Sequence, residues 1–383
     1  MDFLKSFQQF PEKYKRIISN GSYSPKADAI RFVAIISVIL CHIHSYTSYK
    51  NSYQIHVIDF EERWIYNLFQ GICLFFVLSG YILSNAFFQA RNTNQKISLK
   101  NYYWRRVTRL EPAYFITLIF SFLVFVFVLK KFSFDELLPH FLASLFYLNN
   151  IIYPHTHPMV LQIAWTLEVE VQFYLLLPFI FFLYAKNLKL ARIISLLIIF
   201  LIPFSGFKNP INFHTTLFYQ LPYFLAGMLL ADVLNNEKKW MEKLTIPKAL
   251  SMMLALICIA LMWGINWYDY PTYFRPDLMP IVIFVFYFLI FTQNIFANFF
   301  TNRWVALIGG MCYSLYLTHY IIISFVGKYS VQLKVSEYYL LNYALQILLL
   351  LPIILIGGFL FYRFIELPTM NKDWVKNLIA KLK

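Results

Sequence analysis

The stretch DAIRFVAIISVILCH, residues 28–42, decides how the chain is read. Between positions 31 and 42 only Arg31 and His42 can be cationic. On a helix the eleven steps between them are about three turns, so both side chains fall on one face, roughly 16 Å apart along the axis. His44 points the other way. Asp28, three residues before Arg31, is spaced to pair with it. A helix that sits in lipid with a cation at its mouth and an ionisable ring near its middle marks a functional site, because burying either group costs several kcal/mol unless it is paired or used. The plainer reading of His42 is a ring hydrogen-bonded to a neighbouring helix, and this stretch alone leaves both open.

Working outward, 60% of the 383 residues are hydrophobic and 20% aromatic, the composition of a polytopic membrane protein. The net charge of +14 is not gathered into a soluble basic domain. It flanks apolar segments, which excludes a nucleic-acid partner and makes the excess a topology signal. The four cysteines lie inside apolar runs without metal or redox spacing, so neither a disulfide framework nor a metal site is expected. No cleavable signal peptide opens the chain. Residues 1–20 read as a helix on the membrane surface interrupted by Pro11, or as a loosely docked tail.

Apolar runs at about 30–47, 64–88, 112–130, 168–185, 191–206, 214–234, 248–267, 278–298, 304–327 and 339–363 are each near the length a bilayer needs. With the N-terminus in the cytoplasm, 25 of the 33 lysines and arginines fall on the inner side. The expected fold is therefore an all-α polytopic bundle of about ten transmembrane helices with both termini cytoplasmic. The weaker stretch 138–153 is expected as one interfacial or re-entrant helix. The chain divides into a cytoplasmic tail 1–27, a transmembrane domain 28–368 and a cytoplasmic tail 369–383.

Several residues in these runs can carry chemistry. In GICLFFVLSGYILS (71–84), Ser79 and Gly80 suit close helix packing, and Ser79 as a nucleophile would need His42 within reach. In KNYYWRRVTRLEPAY (100–114), Arg106 and Arg109 stand one turn apart, with Pro112 in the first turn of the next span. The arginines are either membrane-surface anchors or a phosphate clamp. Glu168 and Glu170 are two apart and diverge by roughly 200° on a helix, so they cannot form a carboxylate pair. The loop histidines His140, His155 and His157 lack metal-ligand spacing and read as solvated. YFLAGMLLAD (223–232) is a small-residue packing face. Tyr313, Tyr316 and Tyr320 form one aromatic stripe beside His319, and Arg363 and Glu366 are spaced for an ion pair.

Taken in order, D-x-x-R-x(10)-H at 28–42, FFVLSGYILS at 75–84, R-x-x-R-L-x-P at 106–112, W-T-L-x-V-E-x-Q-F-Y at 165–174, Y-S-L-Y-L-T-H at 313–319 and I-E-L-P at 365–368 closely resemble the integral-membrane acyltransferase 3 family. Its members include the O-acetyltransferases of bacterial surface polysaccharides, and the resemblance covers about residues 25–370. It implies ten membrane helices in a bacterial cytoplasmic membrane, acetyl-CoA or another acyl-CoA as donor, and a hydroxyl of a cell-surface glycan or lipid-linked precursor as acceptor. Membrane lipids are the other partners, self-association is compatible, and no permanently bound cofactor is implied. By the same resemblance His42, Arg31 and Glu170 are the catalytic candidates and Arg106 and Arg109 match the family's double-arginine motif, which together with Arg105 is expected to hold the CoA. Asp28, Ser79, Trp165, Tyr313, Tyr316 and His319 are assigned to substrate binding. Thr166 stands where a serine is usual, and Val171 replaces a usual second glutamate. Some relatives carry a fused esterase-like domain. Without one, the chain completes the transfer itself or acts as an acyl relay with a partner. A transporter or flippase of lipid-linked sugars is the competing class, against which stands the lack of an evident inverted repeat.

Overall fold

The computed structural model describes residues 2–17, 23–50, 64–154, 156–204, 215–264, 275–371, 373–376 and 380, and every regular element among them is helical. His155 lies outside the described residues. The principal helices are α1 (Asp2–Lys13), α2 (Pro25–Lys50), α3 (Gly71–Asn92), α4 (Leu99–Leu123), α5 (Phe134–Leu145), α6 (Asn149–Ile152), α7 (Trp165–Lys186) and α8 (Leu188–Phe204). They continue with α9 (Leu217–Asn236), α10 (Lys248–Ile259), α11 (Arg275–Gln293), α12 (Arg303–Gly310), α13 (Cys312–Ser330) and α14 (Tyr339–Phe361). Among the described residues nine of the ten apolar runs each overlap one principal helix, and the run 304–327 overlaps two. By length and composition six of the described helical stretches are long and apolar enough to cross a membrane, or seven if the bent pair α12 and α13 is one span. That pair meets at 68° around Met311, where one straight helix was expected. The stretch 138–153 is two helices, α5 starting earlier at Phe134 and the short α6.

Local sequence explains several boundaries. Ser98, Ser133, Thr216 and Asn302 each stand just before a helix, and each side chain accepts a backbone N–H of the first turn. The Ser98 cap starts α4 at Leu99, more than three turns before the expected Pro112, so Pro112 lies inside the helix. A proline there cannot donate to the carbonyl four residues back. That carbonyl, on Thr108, instead accepts from Trp374 Nε1 at 2.9 Å. The next two, on Arg109 and Leu110, accept from Thr369 Oγ1 at 3.4 Å and Tyr313 OH at 3.0 Å. The turn that proline loosens is held from outside.

By contacts the chain forms two compact units. The first comprises residues 1–72, 104–114 and 296–383. In it the N-terminal tail is a docked helix: Phe10 stacks on Trp304 at 5.8 Å and Tyr14 meets Phe359 edge-on at 5.1 Å. Tyr362 OH donates to Tyr14 O at 3.1 Å, and Tyr343 OH to Leu40 O at 3.0 Å. Helix α12 lies on α2 with almost no space between backbones, since a Cβ on Gly309 would fall 1.7 Å from Asp28 O.

The second unit comprises residues 73–103 and 115–295. The small residues of α3 and α9 interlock there. A Cβ on Gly80 would meet Phe224 O at 2.2 Å, and one on Gly227 would meet Val77 O at 2.0 Å, the close approach that small residues permit in lipid. Elsewhere on α9 the buried Asp232 accepts two hydrogen bonds from Arg192 of α8, at 2.6 and 3.2 Å.

Adjacent glycines give opposite expectations. Gly309→Ala drives a methyl group into immovable backbone and should destabilise the protein by about 3 kcal/mol, the upper end for overpacking. Gly310→Ala meets only Arg16 Cβ at 3.5 Å and should leave the melting temperature in detergent unchanged. Equal melting temperatures for the two variants would refute this account of the α2–α12 contact.

Candidate active site

The first unit holds a buried charge cluster at the start of α2. Asp28 is 1% exposed and pairs with Arg31 one turn on, as its spacing predicted. It also pairs with Arg16 at 3.4 Å, from the segment that follows α1. Arg16 was not singled out in the sequence, where it stands among other cations of the tail with no distinguishing spacing. Burial and the neighbouring Arg31 push the Arg16 guanidinium below its ordinary value, with Asp28 pulling it back and Arg109 adding to the depression. Arg109 and Arg16 also act on the buried Glu366. Three guanidinium groups and two carboxylates thus share one region, leaving an excess positive charge. Arg105 and Arg106 are half-buried one turn before Arg109 on α4.

The expected Arg363–Glu366 pair does not form. Residues 362–366 make a wider π turn, in which residues three apart no longer stack. Glu366 accepts from Ser314 N at 3.0 Å and from Ser314 Oγ. The Arg363 guanidinium lies over the rings of Tyr14 and Phe364, at 5.4 and 5.2 Å.

Three turns along α2 from Arg31, the His42 ring packs against His319 and Tyr320 of α13, with ring centroids 5.2 and 5.3 Å away. It makes no hydrogen bond among the described residues. His44, on another face, contacts Tyr339 of α14 through Nδ1. His319 is fully buried. Its Nδ1 lies 3.0 Å from Leu315 O and 2.7 Å from Tyr316 O. Carbonyls only accept, so Nδ1 carries the proton and Nε2 the lone pair. That Nε2 is buried without a hydrogen-bond partner. The Tyr316 ring lies beside His319 at 5.8 Å. The Tyr313 hydroxyl donates to Leu110 O of α4 at 3.0 Å, as described above.

The second unit brings Ser79 and Glu170 together: Ser79 Oγ donates to Glu170 Oε1 at 2.6 Å. Both are half-buried. The serine hydroxyl therefore has a carboxylate partner that its sequence position did not reveal. Glu168 diverges from Glu170 as expected and is fully buried, accepting from Asn150 N at 2.8 Å. Asn150 also exchanges hydrogen bonds with Gln172. Trp165 packs between Phe76 and His157, each 6.3 Å away. The loop histidines are not simply solvated: His140 lies 4.1 Å from Tyr153, ring to ring, and His157 against Trp165. Aromatic neighbours give these half-polar rings a better surface than water alone.

The family model described as an acyltransferase domain matches residues 25–363. The protein SAS0844 of Staphylococcus aureus (strain MSSA476) is 28% identical over 397 residues, covering 96% of this chain and 59% of the relative. The O-acetyltransferase OatA of Staphylococcus aureus (strain NCTC 8325 / PS 47) is 28% identical over 399 residues, covering 97% of this chain and 60% of the relative. The chain therefore spans about three-fifths of the length of these relatives. No solved structure matches it.

Asp28→Asn would leave two guanidinium groups packed together with no shared anion. Breaking a buried pair in this way should cost about 3–5 kcal/mol, read as a lower melting temperature in detergent. Adding Arg16→Gln to Asp28→Asn should recover part of the loss. A melting curve unmoved by Asp28→Asn alone would show that the carboxylate is not needed to hold the cluster.

Proposed function

Because the chain belongs to the acyltransferase domain family, which its family match shows directly, we propose that this multi-pass membrane protein moves an acetyl group from acetyl-CoA to a hydroxyl of a cell-surface glycan or of its lipid-linked precursor. The observation that carries this reading is the single face of α2. At one end Asp28 pairs with Arg31 and with Arg16, and Arg109 lies close enough to act on Arg16. Three turns on, the same face presents an imidazole free of hydrogen bonds among the described residues.

In this reading the termini lie in the cytoplasm, the ten apolar runs are ten spans, and the protein sits in the bacterial cytoplasmic membrane. Arg105, Arg106 and Arg109 meet the CoA phosphates, for which planar guanidinium groups are suited. The excess positive charge beside Arg31 favours an anion at the same mouth, and the pantetheine arm extends along α2 toward His42. His42, neutral, takes the proton of the acceptor hydroxyl while that oxygen attacks the thioester carbon. Collapse of the tetrahedral intermediate breaks the carbon–sulfur bond, and the imidazolium returns its proton to the CoA thiolate. Glu170, one oxygen held by Ser79 within the second unit, is the remaining catalytic candidate of the family resemblance.

Release of free CoA from acetyl-CoA by the purified protein in nanodiscs tests the reading. His42→Ala should lower kcat by about 100-fold or more, and Arg106→Ala with Arg109→Ala should raise KM for acetyl-CoA. Undiminished binding of a lipid-linked sugar with no CoA released from any donor would favour a transporter instead.

A further inference from the structure

Resting on the acyl-transfer reading, we infer that His319 is a positioning residue for His42: its Nε2 receives the His42 N–H, and so sets which His42 nitrogen keeps the lone pair that takes the substrate proton. The donor set around His319 leads there. Two backbone carbonyls of its own helix, on Leu315 and Tyr316, occupy Nδ1–H. The remaining nitrogen is then an acceptor only, fully buried and without a partner. An unsatisfied buried acceptor costs about 1–3 kcal/mol, so a donor belongs there.

The adjacent ring can supply one. Two imidazoles joined by N–H···N have nitrogens about 3 Å apart, and each nitrogen lies roughly 1.1 Å from its ring centre, which puts the centroids a little over 5 Å apart. The His42 and His319 centroids are separated by 5.2 Å. Rotation of the His42 ring about its Cβ–Cγ bond is the movement that the proposal requires. Nothing else among the described residues fixes the His42 tautomer, since its other contact is the edge of the Tyr320 ring. In a neutral imidazole the nitrogen that donates determines which one remains basic. His319 thereby plays for His42 the orienting part that a carboxylate plays in a hydrolase triad, without adding a charge to a site that has little water.

Two isosteres separate this role from simple helix capping. An asparagine amide reaches the place of Nδ1, and a glutamine carbonyl the place of Nε2. His319→Asn keeps the donation to Leu315 and Tyr316 but loses the acceptor. It should lower kcat for CoA release by about 100-fold, within the cost of a wrong tautomer, with KM for acetyl-CoA unchanged. His319→Gln should regain at least tenfold of that loss. Wild-type kcat in His319→Asn, or His319→Gln no faster than His319→Asn with both proteins folded, would overturn the assignment. Nitrogen-15 NMR of histidine-labelled wild-type protein in nanodiscs needs neither substitution nor turnover. An N–H···N coupling between His42 and His319 is expected, and a His42 ring averaging between tautomers would overturn the proposal. Wild-type protein that shows this coupling but releases no CoA from any acyl-CoA would refute acyl transfer while leaving the histidine contact standing.

Discussion

A carboxylate shared by two guanidinium groups anchors the first unit. An isolated ion buried away from water is costly, and Asp28, with almost no exposure, meets that cost by holding Arg31 of its own helix and Arg16 of the preceding segment. Two consequences follow for the geometry. The segment after α1 is tied to α2, bringing the aromatic side chains of the N-terminal helix onto α12 and α14. The rotation of α2 about its axis is also fixed. A helix pinned at Arg31 cannot turn away a residue three turns further on, so His42 is delivered to α13. Gly309 seals the arrangement by letting α12 lie against the α2 backbone at Asp28, which keeps water from the pair.

The second unit is organised by the reciprocal demand that polar groups in an apolar setting find partners close by. Ser79 follows the α3 segment that packs on α9 and turns its hydroxyl to Glu170. Two residues earlier on α7, Glu168 turns the other way and receives the backbone of α6. One helix thus uses two nearby carboxylates for different purposes. Glu168 organises the turn before it, whereas Glu170 remains half-buried and bonded to a single hydroxyl.

What the residues disclosed in advance was mainly periodic. The common face of Arg31 and His42, the pairing of Asp28 with Arg31, the divergence of Glu168 from Glu170 and the small-residue faces at Gly80 and Gly227 all follow from helix spacing. What stayed hidden depended on breaks in that spacing or on distant partners. The π turn at 362–366 redirected Glu366 to Ser314, the bend at Met311 split one apolar run into α12 and α13, and the Ser98 cap drew α4 back past Pro112. Ser98 is a readable cap, although Pro112 carries the same helix-start signal further along. Arg16 had none, because only its partner Asp28 distinguishes it from the other tail cations. The burial of His319 was equally invisible: its motif marked the residue, but not the two carbonyls that settle its proton.

The loosened turn before Pro112 carries a consequence for synthesis. Its carbonyl at Thr108 is met by Trp374, 266 residues further along the chain, and the next by Thr369. While the ribosome is still making the intervening helices, those oxygens can be covered only by water or lipid headgroups, and so the middle of α4 stays provisional. A segment made much later latches a helix inserted long before, so a truncation that spares every apolar run but removes Thr369 and Trp374 would still leave α4 unfinished.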